Sequence, residues 1–185
     1  MSRYQIREAL VSLGDDFDIK DGNGQPVFHV DGKIFTIRNS AKITDMAGAE
    51  VAGLHRKMVA IRHTFVIERP GQKDVRVRKD LINIIGDHFV IERDDDEGGQ
   101  LDVRGDILHH SYRIEDKKGT VAEVSKAWIS LTHTYGVEIE SGQDDLLILA
   151  SVVAIDVIYH RENEQAAAAA IAASQAKEDK ADKDD

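Results

Sequence analysis

The chain contains no cysteine, which excludes disulfides, thiolate zinc sites and cysteine nucleophiles. It is also short of positive charge: 24 Lys and Arg stand against 34 Asp and Glu, a formal net charge of -10. That balance opposes indiscriminate binding to nucleic acid or anionic membrane, so any anion site must be local. The opening MSRYQIREALVSLGDDF has no apolar core behind a basic start and no small-residue cleavage site, and does not read as a secretory signal. The expected address is the cytoplasm, with peripheral contact to a membrane as its extension.

Long hydrophobic runs are missing as well. The most apolar stretch is DDLLILASVVAIDVIYHRE, 144–162, whose apolar part, Leu146 to Tyr159, is 14 residues interrupted by Ser151 and Asp156. A helix that spans a bilayer needs about 20 apolar residues. Here apolar side chains fall on every face, the pattern of a helix buried all round. Asp144 and Asp145 suit its first amides and the positive end of the dipole, while His160 and Arg161 suit the other end. The stretch is read as a buried core helix at about 143–162 and not as a transmembrane segment.

What the chain does have is repetition. ALVSLGDDFDIKD (9–21), KIFTIRNSAKITD (33–45), KMVAIRHTFVIER (57–69), DLINIIGDHFVIER (80–93) and AWISLTHTYGVEIE (127–140) share one pattern, with DILHHSYRIED (106–116) as a shorter copy. Bulky apolar residues precede a polar break, then an apolar-x-apolar pair ends in a charge. From Leu10 through Ile34, Met58, Leu81 and Ile107 to Trp128 the spacings are 24, 24, 23, 26 and 21 residues. Each unit carries strand-turn-strand punctuation: Phe65 and Ile67 alternate with Val66 and Glu68, PGQK follows at 70–73, then Val75 and Val77 alternate with Arg76 and Arg78. Alternation of this kind marks half-buried strands joined by a turn. Further turns are expected at DGNG (21–24), Ala47-Gly48, DDDEGG (94–99) and KKG (117–119).

The alternating segments amount to about twelve short strands, more than an open sheet carries without curling or closing. Closure removes the exposed edges. Side chains alone do not fill so wide a barrel, because eight strands already leave an interior just filled by them. The fold class is therefore mainly β with one central α: a closed antiparallel barrel of about twelve strands around the buried hydrophobic C-terminal helix. Residues 1–162 form this domain. The remainder to 185, alanine-rich and then charged, has high helix propensity but little to bury, and is expected to be a frayed helical extension ending in disorder.

The sequence resembles the LURP-one-related family of the tubby C-terminal-like group, which also includes the phospholipid scramblases. The residues that carry the resemblance are YQIREALVSLGDDFDIKDGNGQPVFHVDGK, two V-x-x-V motifs with a following lysine (Val27, Val30, Lys33; Val121, Val124, Lys126, Trp128), HTYGVEI and DDLLILASVVAIDVI. It extends over about residues 3–160. It implies a twelve-stranded barrel around one hydrophobic helix, with no established enzyme activity. Tubby-type members bind membrane phosphoinositides, so the resemblance also implies lipid binding.

Residues 55–79 carry eight cations against Glu68 and Asp74, a local charge of +6 in a chain that is otherwise -16. Arg76 and Arg78 project from one strand face, where two guanidinium groups can converge on a phosphate. Arg56, Lys57, Arg76, Arg78 and Lys79 are the candidates for an anionic headgroup site; the competing reading is a solvated face paired with the acidic remainder. Asp156 is the one charged group inside the helix. It reads as a polar anchor satisfied by hydrogen bonds or, in the competing reading, as a perturbed acid in a pocket.

No catalytic or metal-binding constellation is legible, and no cofactor is expected. The histidines lack zinc spacing, although His63 and His133 recur in HTF and HTY as a shared structural position. DDFDIKDGNG lacks the ligand alternation of a calcium loop, and DDDE at 94–97 reads as a solubilising turn. The expected function is a non-enzymatic barrel that binds anionic phospholipid headgroups or acts as an adapter at the membrane surface. A protein-interaction or stress-associated scaffold with a protein partner is the alternative, and no nucleic-acid partner is expected.

Overall fold

Twelve strands run through the computed structural model, which describes residues 1–7, 16–31, 40–59, 62–80, 87–93, 99–129 and 131–181. The strands are β1 Ser2–Arg7, β2 Phe17–Asp21, β3 Pro26–Val30, β4 Ser40–Asp45, β5 Glu50–Val59, β6 Arg62–Glu68 and β7 Val75–Lys79. They continue as β8 Asp87–Arg93, β9 Gln100–Asp106, β10 Ser111–Asp116, β11 Gly119–Ser125 and β12 Thr134–Ile139, followed by the helix α1, Asp145–Ala181. Burial alternates with period two along β2, β4, β7, β9 and β10, while residues 64–67 and 88–91 are buried on both faces. Each strand pairs antiparallel with its neighbours in sequence, and β1 pairs with β12 to close the barrel. Closure leaves no edge strand, as expected of a sheet this wide.

The hairpins repeat their turn chemistry. In the β2–β3 turn Asp21 Oδ1 accepts the amides of Asn23 and Gln25, both at 2.9 Å. Asp45 Oδ1 does the same for Ala47 and Ala49 in the β4–β5 turn, and Asp116 Oδ1 serves Lys118 and Gly119 between β10 and β11. An aspartate that satisfies the backbone two residues on is a self-contained turn signal, and it is one physical content of the repeat. The reference positions do not share a place: Met58 is in β5, Ile107 follows β9 and Trp128 lies between β11 and β12. Leu10, Ile34 and Leu81, and the DDDE run at 94–97, lie outside the described residues.

Two glycines are required by sterics. Gly105 has φ 136° at the β9–β10 turn, where an added Cβ would lie 2.5 Å from the Ser111 carbonyl oxygen. At Gly136 a Cβ would meet the Trp128 ring at 2.2 Å. The indole therefore folds back over the outer face of β12, with the Arg3 guanidinium above it at 5.5 Å.

Inside, Ile19, Ile43, Leu54, Phe65, Ile67, Val77, Phe89, Ile91, Val103 and Ile114 point at α1. The helix answers with apolar residues on every side: Leu147 to Leu149, Val152, Val153, Ile155, Val157 and Ile158 are all buried. Each such side chain contributes about 1.5–3 kcal/mol when fully buried, so the central helix is a principal component of the core. Asp144 caps it, its Oδ1 accepting the Leu147 amide at 3.0 Å. The helix does not end at 162. His160 and Arg161 lie mid-helix, and α1 continues to Ala181, because alanine carries the helical conformation at little cost even where nothing is buried. Burial ceases within this span: every residue from Asn163 to Gln175 is exposed. Among the described residues, no helix is long and apolar enough to cross a membrane.

Candidate functional site

Strand parity divides the five basic candidates between two surfaces. Leu54 on β5 and Val75 and Val77 on β7 face the core, so Arg56 and Lys79, two residues further along each strand, hold inner positions at the rim where α1 leaves the barrel. Lys57, Arg76 and Arg78 hold outer positions. Register places Lys57 opposite Thr64, and Thr64 opposite Arg78, in one cross-strand row.

On the outer face Arg76 and Arg78 converge on a carboxylate of the protein itself. Arg78 donates to Glu92 Oε1 through Nε at 2.9 Å and Nη2 at 2.6 Å, and Arg76 Nε lies 3.5 Å from Glu92 Oε2. Burial alone would raise the Glu92 carboxyl, but Arg78 and then Arg76 outweigh it and hold it below the usual carboxylate range. At the rim, Lys79 Nζ sits 3.1 Å from Glu162 and over the Phe89 and Tyr159 rings at 5.9 and 5.6 Å. Arg56 faces Arg161. Burial, and then the charge of Arg56, hold the Arg161 guanidinium below its usual value, while Glu164 opposes them.

Asp156 is 3% exposed. His110 Nε2 lies 3.0 Å from its Oδ1, and the Tyr135 hydroxyl donates to Oδ2 at 3.1 Å. The two rings stack with centroids 4.2 Å apart. His110 reaches inward from the β9–β10 turn with φ 50°, a left-handed conformation that costs a non-glycine residue energy and persists where the surroundings hold it. Tyr112 lies close by; burial, and then the charge of Asp156, push its phenol well above the ordinary value. Ser151, the other polar interruption of the helix, donates to the Leu147 carbonyl at 2.8 Å. These contacts tie one face of α1 to β12 and to the β9–β10 turn.

Surface cavities lie elsewhere. One of about 330 Å³ runs along β1 and β2, with Asp16 and Asp18 set against Arg7, Lys20 and His29. Another, of about 320 Å³, opens where α1 begins and is lined by Arg69, Gln72, Lys73, Arg93 and Asp144. Arg69 and Lys73 belong to the basic segment, whereas Arg93 lies outside it. Sequence reasoning passed over Arg93, although one signal was present: FVIER occurs twice, at 65–69 and 89–93. Among the described residues, no group of three or more His, Asp or Glu is placed to hold a metal ion. His63 is in β6, its side chain outside the described residues, and His133 precedes β12 in left-handed backbone at φ 57°.

The model of the LURP-one-related family matches residues 2–156. The Uncharacterized protein YxjI of Bacillus subtilis (strain 168) is 23% identical over 160 residues, 86% of this chain and 95% of that protein. The X-ray structure of an Arabidopsis thaliana protein superposes with a TM-score of 0.56 at 19% identity, covering 83% of this chain and 88% of that one. That likeness is one of fold.

Proposed function

The chain belongs to the LURP-one-related family, and from that premise we propose that it is a non-enzymatic barrel that binds anionic phospholipid headgroups at a membrane surface. The observation that carries this reading is the outer face of β5–β7, where Lys57, Arg76 and Arg78 stand in adjacent cross-strand rows. The resemblance to tubby-type proteins supports the same chemistry. Glu92 offsets one of the three charges, so these four side chains carry a net +2. At about 1 kcal/mol for each cation near an anionic leaflet, the face contributes about 2 kcal/mol, enough for a transient, salt-sensitive contact. Flotation with anionic vesicles at low salt tests this. Wild-type protein should rise with the vesicles, and Arg76→Glu with Arg78→Glu should abolish the effect; wild type that stays in the unbound fraction removes the proposal.

A second reading, a protein-interaction scaffold, is favoured by the exposed extension of α1, where Ile171 is 59% exposed. It expects a specific partner in a pull-down with the full chain, lost on deletion of 163–185. Absence of any specific partner in both counts against it.

A further inference from the structure

The cavity where α1 begins is built by the repeated pentapeptide. Phe65-Val66-Ile67-Glu68-Arg69 closes β6 and Phe89-Val90-Ile91-Glu92-Arg93 closes β8, with β7 between them. Val75 pairs with Ile67 on one side and with Arg93 on the other. Within each copy Phe and Ile face the core, so the terminal arginine occupies an inner position at the barrel mouth. Two strand spacings separate β6 from β8, about 10 Å, a span that two arginine side chains can bridge by reaching toward each other. Val75 and Leu147 form the apolar floor of the cavity between them.

Arg69 is held in place. Its side chain is 7% exposed, and Nη1 donates to Asp144 Oδ2 at 2.5 Å. Asp144 is itself fixed by capping α1 through its other oxygen. The Nε groups of Arg69 and Arg93 are both buried, and among the described residues neither has a hydrogen-bond partner. Buried donors of this kind are ordinarily satisfied. Lys73, in the exposed β6–β7 turn, adds a third cation to the lining. Three cations set against Asp144 leave a net +2 around about 320 Å³, a volume at the lower end for small-molecule sites.

We propose that this cavity binds a dianion of the phosphate-monoester class, either free phosphate or the terminal monoester of a lipid headgroup. Guanidinium forks match phosphate oxygens in geometry as well as in charge. A carboxylate would neutralise only half of the excess charge. The site is separate from Arg76 and Arg78, which lie on the outer face and share Glu92, so it stands or falls independently of the membrane reading above.

The test uses the full chain, with inorganic phosphate as the probe in calorimetry and thermal unfolding. Phosphate is expected to bind saturably and to raise the unfolding midpoint. Arg93→Gln should weaken binding about tenfold, the loss of one charge-assisted contact, and Lys73→Gln should weaken it less. Arg76→Glu with Arg78→Glu should leave phosphate binding unchanged. Should Arg93→Gln fail to fold by circular dichroism, Lys73→Gln carries the comparison. The source is separated with phosphatidylcholine vesicles that contain either phosphatidic acid or phosphatidylserine at matched charge. Preference for phosphatidic acid, lost in Arg93→Gln, assigns a lipid monoester; phosphate binding without vesicle capture assigns the free anion. No saturable phosphate binding together with no phosphatidic acid preference, or wild-type affinity in both the Arg93 and Lys73 variants, overturns the proposal.

Discussion

The two mouths of the barrel use the same strand positions to opposite ends. Where α1 begins, Arg69 and Arg93 occupy inner positions at the ends of β6 and β8, and a cavity remains above the first turn of the helix. Where α1 leaves, Arg56 and Lys79 occupy the corresponding positions at the other ends of β5 and β7, but the helix passes between them. Glu162 there meets Lys79 at 3.1 Å, and Arg161 faces Arg56. A helix that starts inside a barrel leaves its first mouth open, while one that continues outward fills the second with its own side chains. At the first mouth the two arginines frame a cavity, with Arg69 paired to Asp144, whereas at the second Lys79 is paired to Glu162 and Arg56 lies beside a second cation.

Four measurements sharpen this contrast, in order of expected effect. Asp156→Ala removes the lock midway between the mouths. It strands the buried Tyr135 hydroxyl and His110 imidazole and leaves a void, so unfolding free energy in urea should fall by about 3 kcal/mol. Asp156→Asn keeps an oxygen acceptor and should lose less. Asp144→Ala, at the first mouth, removes a helix cap and the partner of a nearly desolvated guanidinium; a loss of about 2 kcal/mol in the same measurement is expected. At the second mouth the Lys79–Glu162 pair is partly hydrated, with side chains 24% and 25% exposed. A double-mutant cycle of Lys79→Ala and Glu162→Ala should give a coupling of about 0.5 kcal/mol. A coupling larger than the Asp144→Ala loss would reverse the contrast.

The smallest effect is one of pH, again at the first mouth. The Tyr4 hydroxyl donates to Asp145 Oδ2 at 2.7 Å. Its phenol is pushed up from 10.0 to about 12, by burial first and then by the hydrogen bond and charge of Asp145. The folded value lies above the unfolded one, so the stabilisation is complete below about pH 10 and is lost as pH climbs toward 12. Tyr4 is partly exposed, and solvent screening reduces the effect to a few tenths of a kcal/mol. Tyr4→Phe should flatten this alkaline limb in unfolding experiments between pH 9 and 12; an unchanged limb would assign it to another group.

Much of the fold was legible because period and composition are local. Val75 and Val77 alternating with Arg76 and Arg78 identified β7 and its two faces, and the short stretch after Asp144, apolar on every face, identified a buried helix. The candidate site was legible only in part. Counting charge along 55–79 placed Arg56 and Lys79 beside Lys57, Arg76 and Arg78, because net charge ignores strand parity and the distance from a strand's end to the rim. The Glu92 that Arg76 and Arg78 share arrives from β8, and Arg93 lies beyond the basic segment altogether; both became neighbours only through pairing with β7.

Asp156 shows where the division falls. Sequence alone determined that a carboxylate sits inside an apolar helix too short to span a bilayer, and that burial obliges it to find hydrogen-bond donors. Only the tertiary structure decided that its partners include Tyr135 from β12 and His110 from the β9–β10 turn, 21 and 46 residues away in sequence. Helical period and the cost of burying charge are properties of a segment and its side chains. Which strands face a given turn of the helix is set by the closure of β1 onto β12 and by the register of every hairpin between them, and no local segment encodes it.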